Sequence, residues 1–201
     1  MQTFVTLSLN KIFIPTFALM TIKDLQIDKT WTLFLDRDGV LNKKIDDDYV
    51  RNWEQFEFLP GVKEALKDLA QIFHRIIIVT NQRGVGRGLM SLEALNAIHE
   101  NLGFEVAASG GRIDAIYFCP DVSDEGSTHR KPQPGMALDA QKQFPEIDFT
   151  KSIIVGDSAS DMQLGENLNM KKVLISHKIK GNPDLIFPSL IEFSTELKSN
   201  I

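Results

Sequence analysis

The strongest constraint in this chain is a repeated pattern: short apolar runs stop abruptly at polar residues and alternate with stretches of helical spacing. Trp31 to Leu35 runs into Asp36-Arg37-Asp38-Gly39, Ile76 to Val79 into Thr80-Asn81-Gln82, and Ser152 to Val155 into Gly156-Asp157. Ile113 to Phe118 and Lys172 to Ile175 are two more such runs. Each has the length and apolar content of a strand buried on both faces. Between them, Val62, Ala65, Leu66, Leu69 and Phe73 follow helical spacing behind Pro60-Gly61. Ser91 is an N-cap for a helix carrying Leu92, Leu95, Ile98 and Leu102, which must have stopped by Gly110-Gly111. Met136, Ala140 and Phe144 place another helix after Pro134-Gly135. Alternating strands and helices predict an α/β fold, a doubly wound parallel sheet covered on both faces. Ligands of such sheets bind beyond the carboxyl ends of the strands. Three of these strands deliver polar side chains there.

With 201 residues and no repeat, composition shift or long linker after residue 30, the chain reads as one domain over 31–201. Residues 1–30 are expected to be an extension of uncertain order. Met1 to Met20 is apolar but broken by Lys11 and Pro15, too short to span a membrane and without the basic start of a signal peptide. Ile12 to Leu19 could still serve as a short signal-like core, or Met20 as the working start. A net charge of −5 and a pI near 5.4 argue against nucleic acid as the main partner. The single cysteine, Cys119, excludes an intrachain disulfide and fits the cytoplasm. No membrane partner is expected, and the chain reads as a monomer.

The polar strand ends suggest phosphoryl chemistry. A carboxylate such as Asp36 is a competent nucleophile toward phosphorus, and Asp38 could protonate the leaving oxygen and then activate water. Two carboxylates beside a phosphate dianion repel it, so a divalent cation must sit among them. Hard ligands such as Asp36, Asp157 and a main-chain carbonyl suit magnesium. Asp38 must hold a proton for the first step, which predicts surroundings that raise its pKa. Taken singly, each residue has a plainer reading: Asp36 and Asp38 as turn caps, Thr80 as a satisfied hydroxyl, Lys131 as a loop lysine, Asp161 at the positive end of a helix.

Together these segments resemble the haloacid dehalogenase superfamily of phosphohydrolases. Leu33-Phe-Leu-Asp-Arg-Asp-Gly-Val-Leu-Asn42, Val79-Thr-Asn-Gln82, Arg130-Lys-Pro132 and Val155-Gly-Asp-Ser-Ala-Ser-Asp161 are similar to its four motifs, in order, over about residues 31–176. The resemblance implies a Rossmann-like core with Asp36 as nucleophile and Asp38 as general acid and base. It implies phosphate or substrate contacts from Asn42, Thr80, Asn81, Gln82, Arg87, Arg130 and Lys131, and a magnesium site at Asp36, Asp38 and Asp157. Asp161 is the supporting carboxylate, touching metal-bound water or holding Lys131. Phe58-Leu-Pro-Gly-Val62, Arg87-Gly88, Gly111-Arg-Ile-Asp-Ala-Ile-Tyr117 and Cys119-Pro120 are similar to one branch, the heptose bisphosphate and histidinol-phosphate phosphatases. Only 21 residues separate Asp38 from Pro60 and 50 separate Thr80 from Lys131, so neither gap holds a cap domain.

One departure concerns the zinc loop of that branch. Cys119-Pro120 is kept, but Asp121, Ser127 and His129 stand where further ligands are expected. Cys119, Asp121 and His129 give at most three good donors, so zinc is not expected, and the 121–128 loop should be held by local hydrogen bonds. Arg83, Arg87 and Arg130 suit a second phosphate, although Arg83 also reads as an ordinary solvated arginine. They favour a small phosphorylated sugar, heptose 1,7-bisphosphate, over histidinol phosphate. A polynucleotide 3′-phosphatase or a non-catalytic relative are the other readings. His74, His99 and His177 show no pairing with the motifs and read as core or surface histidines. The glycines of Gly84-Val-Gly-Arg-Gly88 read as a tight substrate loop.

Overall fold

The computed structural model describes residues 20–45, 48–123 and 125–201. The signal-like stretch at 12–19 lies outside them. The strands are β1 Thr32–Leu35, β2 Arg75–Asn81, β3 Ala115–Cys119, β4 Ser152–Gly156, β5 Lys171–Ile175 and β6 Leu185–Phe187. The helices are α1 Val62–Ile72, α2 Arg83–Gly86, α3 Leu92–Ala108, α4 Gly135–Gln143, α5 Ala159–Asn167 and α6 Leu190–Lys198. All strand pairs are parallel, in the order β3-β2-β1-β4-β5-β6.

Alternation along the strands divides the core between the two faces. Leu33, Leu35, Ile76, Ile78, Ile153 and Val155 join a cluster with α1, α3 and α6. Phe34, Ile77, Val79 and Ile154 face the other way, against Met136, Ala137 and Ala140 of α4 and Leu164 of α5. The fold class is therefore the doubly wound sheet that the sequence predicts. Ser91 caps α3 as expected, its hydroxyl accepting the Ala94 N–H.

Three features were not read from sequence. The edge strand β6 and helix α6 complete the sheet and cover α1. The turn α2 follows β2 directly, built from the Arg83–Gly86 glycine run. Residues 20–30, grouped above with the extension, carry a short 3-10 turn whose Ile22 and Leu25, with Ile27, are buried in the larger cluster. Among the described residues no helix is long and apolar enough to cross a membrane.

Strand order reverses direction between β1 and β4, which opens the crevice where such sheets bind ligands. The Asp36 N–H donates to the Val155 carbonyl at 2.9 Å and locks the two strand ends together. Asp36 leaves β1 and Asp157 leaves β4 at this point.

Candidate active site

A cavity of about 560 Å³ lies over that crevice, and its floor contains Asp36, Asp38, Thr80, Gln82 and Lys131. Lys131 is 2% exposed and forms the hub. Its Nζ donates to the Val79 carbonyl at 2.8 Å and Asp161 Oδ1 at 2.6 Å, and lies 2.9 Å from Asp36 Oδ1. Burial alone would depress its pKa, but Asp161 and Asp36 outweigh burial and raise it. Asn81 brackets the lysine's main chain, accepting its N–H at 2.9 Å and donating to its carbonyl at 3.2 Å. Asn81 at the end of β2 thus sets where the 130–132 loop delivers its cation.

Asp36 is buried, and its Oδ1 accepts the Arg37 N–H at 2.7 Å. Burial pushes its carboxyl up to about 6, Lys131 opposing and Asp161 and Asp38 adding to the rise.

The carboxylates of Asp36, Asp157 and Asp161 offer oxygens all within 4.8 Å of one another. Such a group of hard donors fits magnesium. Room is made for it by glycine: a Cβ at Gly39, where φ is +92°, would lie 2.5 Å from Asp157 Oδ2. Asp161 is fully buried, and its Oδ2 accepts the Ser158 N–H at 3.1 Å, capping α5. Asp161 makes the contact to Lys131, one of the two roles the sequence leaves open for it, and its carboxylate also belongs to the gathered group.

Three expectations are corrected here. Asp38 is not among the gathered carboxylates. Its oxygens instead take both Arg37 Nη2 contacts at 3.0 Å, Asn42 Nδ2 at 2.9 Å and Gln82 Nε2 at 2.7 Å. Burial pushes its pKa up, but those donors outweigh burial and hold it below the ordinary carboxylate value, opposite to the expected rise. Asn42, expected to touch phosphate, is fully buried beneath Asp38 and lies outside the cavity lining.

Arg87 and Arg130 line the cavity, and so does Arg83, whose Nε donates to the Tyr49 hydroxyl at 2.8 Å. Thr80 Oγ1 accepts from Gln82 Nε2 at 3.0 Å, joining the Asp38 network to β2. Lys44 was not anticipated. Its Nζ lies 2.6 Å from both Asp157 oxygens, a contact that outweighs burial and raises its pKa. No motif surrounds Lys44, so only tertiary contact reveals it.

A family profile described as polynucleotide kinase 3 phosphatase matches residues 28–182. A D-glycero-alpha-D-manno-heptose-1,7-bisphosphate 7-phosphatase of Mycobacterium bovis is 47% identical over 138 residues, covering 69% of this chain and 73% of that protein. A D-glycero-beta-D-manno-heptose-1,7-bisphosphate 7-phosphatase of Rhodopseudomonas palustris is 41% identical over 137 residues, covering 65% and 74%. Among solved structures, the D,D-heptose 1,7-bisphosphate phosphatase of B. bronchiseptica, complexed with magnesium and phosphate, superposes with a TM-score of 0.75 at 30% identity. It covers 85% of this chain and 99% of that one. The chain belongs to the haloacid dehalogenase superfamily of phosphatases.

Within this phosphatase fold the described residues of the 121–129 loop gather around a hydroxyl. Ser127 Oγ donates to Asp121, accepts the Arg130 N–H at 2.9 Å and the His129 N–H at 3.3 Å, and lies 3.8 Å from Cys119 Sγ. The His129 ring is turned away, its Nε2 2.8 Å from Asp139 on α4. The local hydrogen bonds expected for this segment are thus present.

Proposed function

We propose that this protein is a magnesium-dependent phosphomonoesterase that removes the 7-phosphate of D-glycero-D-manno-heptose 1,7-bisphosphate through an aspartyl-phosphate on Asp36. The observation that carries the chemistry is the buried Asp36–Lys131–Asp161 arrangement at the switch point, with Asp38 beside it. Magnesium held by Asp36, Asp157, Asp161 and the main chain near Asp38 would neutralise the carboxylates and polarise the phosphoryl group. Asp36 attacks phosphorus, the bond from phosphorus to the C7 oxygen breaks, and that oxygen takes the Asp38 proton. Asp38 then accepts a proton from water as the water oxygen attacks phosphorus, releasing inorganic phosphate and restoring Asp36. Lys131 and Thr80 stabilise charge on the equatorial oxygens. The arriving dianion works against the donors that depress Asp38, since added negative charge favours its protonated form.

The sugar assignment is supported by the two heptose bisphosphate relatives and by Arg83, Arg87 and Arg130 around one cavity, a rim suited to a second phosphate. The net charge of −5 favours a small metabolite over a polynucleotide. We place the enzyme in the cytoplasm, in carbohydrate metabolism, acting as a monomer without zinc. The test is magnesium-dependent phosphate release from both anomers of heptose 1,7-bisphosphate, histidinol phosphate and a 3′-phosphorylated oligonucleotide. A bisphosphate should give the highest kcat/KM. A higher value for histidinol phosphate or the oligonucleotide would overturn the substrate reading.

A further inference from the structure

Arg37 sits between the two aspartates of the first motif, and its side chain is almost wholly buried at the edge of the cavity. It is 1% exposed, the largest fully buried side chain among the described residues. Burying a guanidinium is costly unless its charge and donors are matched. Its Nη2 lies 3.0 Å from each Asp38 oxygen, and its Nη1 lies 3.2 Å from His99 Nε2. The carbonyl of Arg37 accepts the N–H groups of Val40, Leu41 and Asn42, so the residue is also the post on which the loop after β1 turns.

His99 lies on the buried face of α3 with Leu95 and Leu102, its ring 5.7 Å from that of Phe118. Arginine can only donate, so Nε2 must be the accepting nitrogen and the ring proton must sit on Nδ1. Burial first, and the Arg37 charge second, push this ring down to about 3, which keeps the acceptor lone pair available. The sequence reading left His99 as an unpaired histidine; the fold gives it a partner 62 positions away.

We propose that His99 is a positioning residue for catalysis: it fixes Arg37, and Arg37 in turn fixes the Asp38 carboxylate at the angle required for proton transfer. The proposal rests on the phosphatase reading above. Arg37 Nε has no hydrogen-bond partner, so Nη1 and Nη2 alone hold the guanidinium plane. Losing the His99 acceptor therefore frees the group to rotate. Asn42 and Gln82 still reach Asp38, so the carboxylate stays near the site but its orientation is no longer set by the bidentate contact.

The test compares His99→Leu, which removes the acceptor, with His99→Gln, whose amide oxygen can replace Nε2. General acid and base catalysis contributes about 10²–10⁴-fold, so partial misorientation should lower kcat of His99→Leu about 10- to 100-fold with KM changed little. His99→Gln should recover most of that loss. With p-nitrophenyl phosphate, whose leaving group needs no proton, His99→Leu should form the aspartyl-phosphate at nearly the wild-type rate and then release phosphate slowly. A burst of p-nitrophenolate is the signature. Circular dichroism confirms that both variants are folded, and if His99→Leu is not, Arg37→Lys is read in the same way. Equal losses in both steps, or a glutamine variant no better than leucine, would overturn the proposal. Wild-type activity on the aryl phosphate but not on the sugar bisphosphate would sink the substrate reading alone. Inactivity on both would sink the two together.

Discussion

Replacing Lys131 with methionine keeps a side chain of similar length and removes its charge. The ammonium is buried between Asp36 and Asp161 at 2.9 and 2.6 Å, so the variant leaves two buried carboxylates facing each other. Breaking a buried ion pair from one side costs about 3–5 kcal/mol. For a domain of this size each kcal/mol is worth about 2–4 °C, which gives a Tm roughly 6–20 °C below wild type. Asp36 already titrates near 6 rather than at its ordinary 3.8, and losing Lys131 raises it further. A carboxylate with a raised folded pKa binds its proton more tightly in the folded chain. The deficit should therefore grow as pH rises through 6 and shrink below it. Magnesium supplies positive charge to the same carboxylates, so it should raise the Tm of the variant more than that of wild type. Thermal unfolding followed by circular dichroism, with magnesium or with chelator, reads all three effects. A Tm unchanged within about one degree, or an equal magnesium shift in both proteins, would refute the reasoning.

Gly156→Ala would place a Cβ 2.2 Å from Asp161 Cβ, forcing Asp161 away from Lys131. It should cost about 1–3 kcal/mol in denaturant unfolding and lower kcat as well. His99 titrates at about 3 against an ordinary 6.5, so the unfolded chain binds its proton first as pH falls. Stability should drop between pH 6.5 and pH 4 by roughly 3 kcal/mol from this residue, and His99→Gln should lack that component. Purified protein should carry no stoichiometric zinc by inductively coupled plasma analysis; one zinc per chain would contradict the zinc-free reading.

Much of the fold was legible because five strands are nearly continuous apolar runs, each closed by a polar break. β6 escaped notice because it is three residues long and none of them is buried. The candidate site was legible where residues sit at or just past a strand end, as Asp36, Thr80 and Asp157 do. Lys44 and the contact between Arg37 and His99 were not, because they join partners distant in sequence: Lys44 reaches Asp157 across 113 positions and Arg37 reaches His99 across 62. Asn42 shows the converse error. Its place in a motif suggested substrate contact, whereas burial turned its amide toward Asp38. The direction of the Asp38 shift was misjudged for the same reason: its donors come from the chain neighbour Arg37, from Asn42 and from Gln82 on the far side of β2.

The central claim is that Asp36 carries the phosphoryl group. The most direct measurement is rapid acid quench during turnover of p-nitrophenyl phosphate, followed by mass spectrometry of the peptide containing Asp36. One added phosphoryl group should appear on that peptide, should accumulate in Asp38→Asn, where water activation is slowed, and should vanish in Asp36→Asn together with turnover. A phosphoryl group on a different residue, or steady turnover by Asp36→Asn, would contradict it.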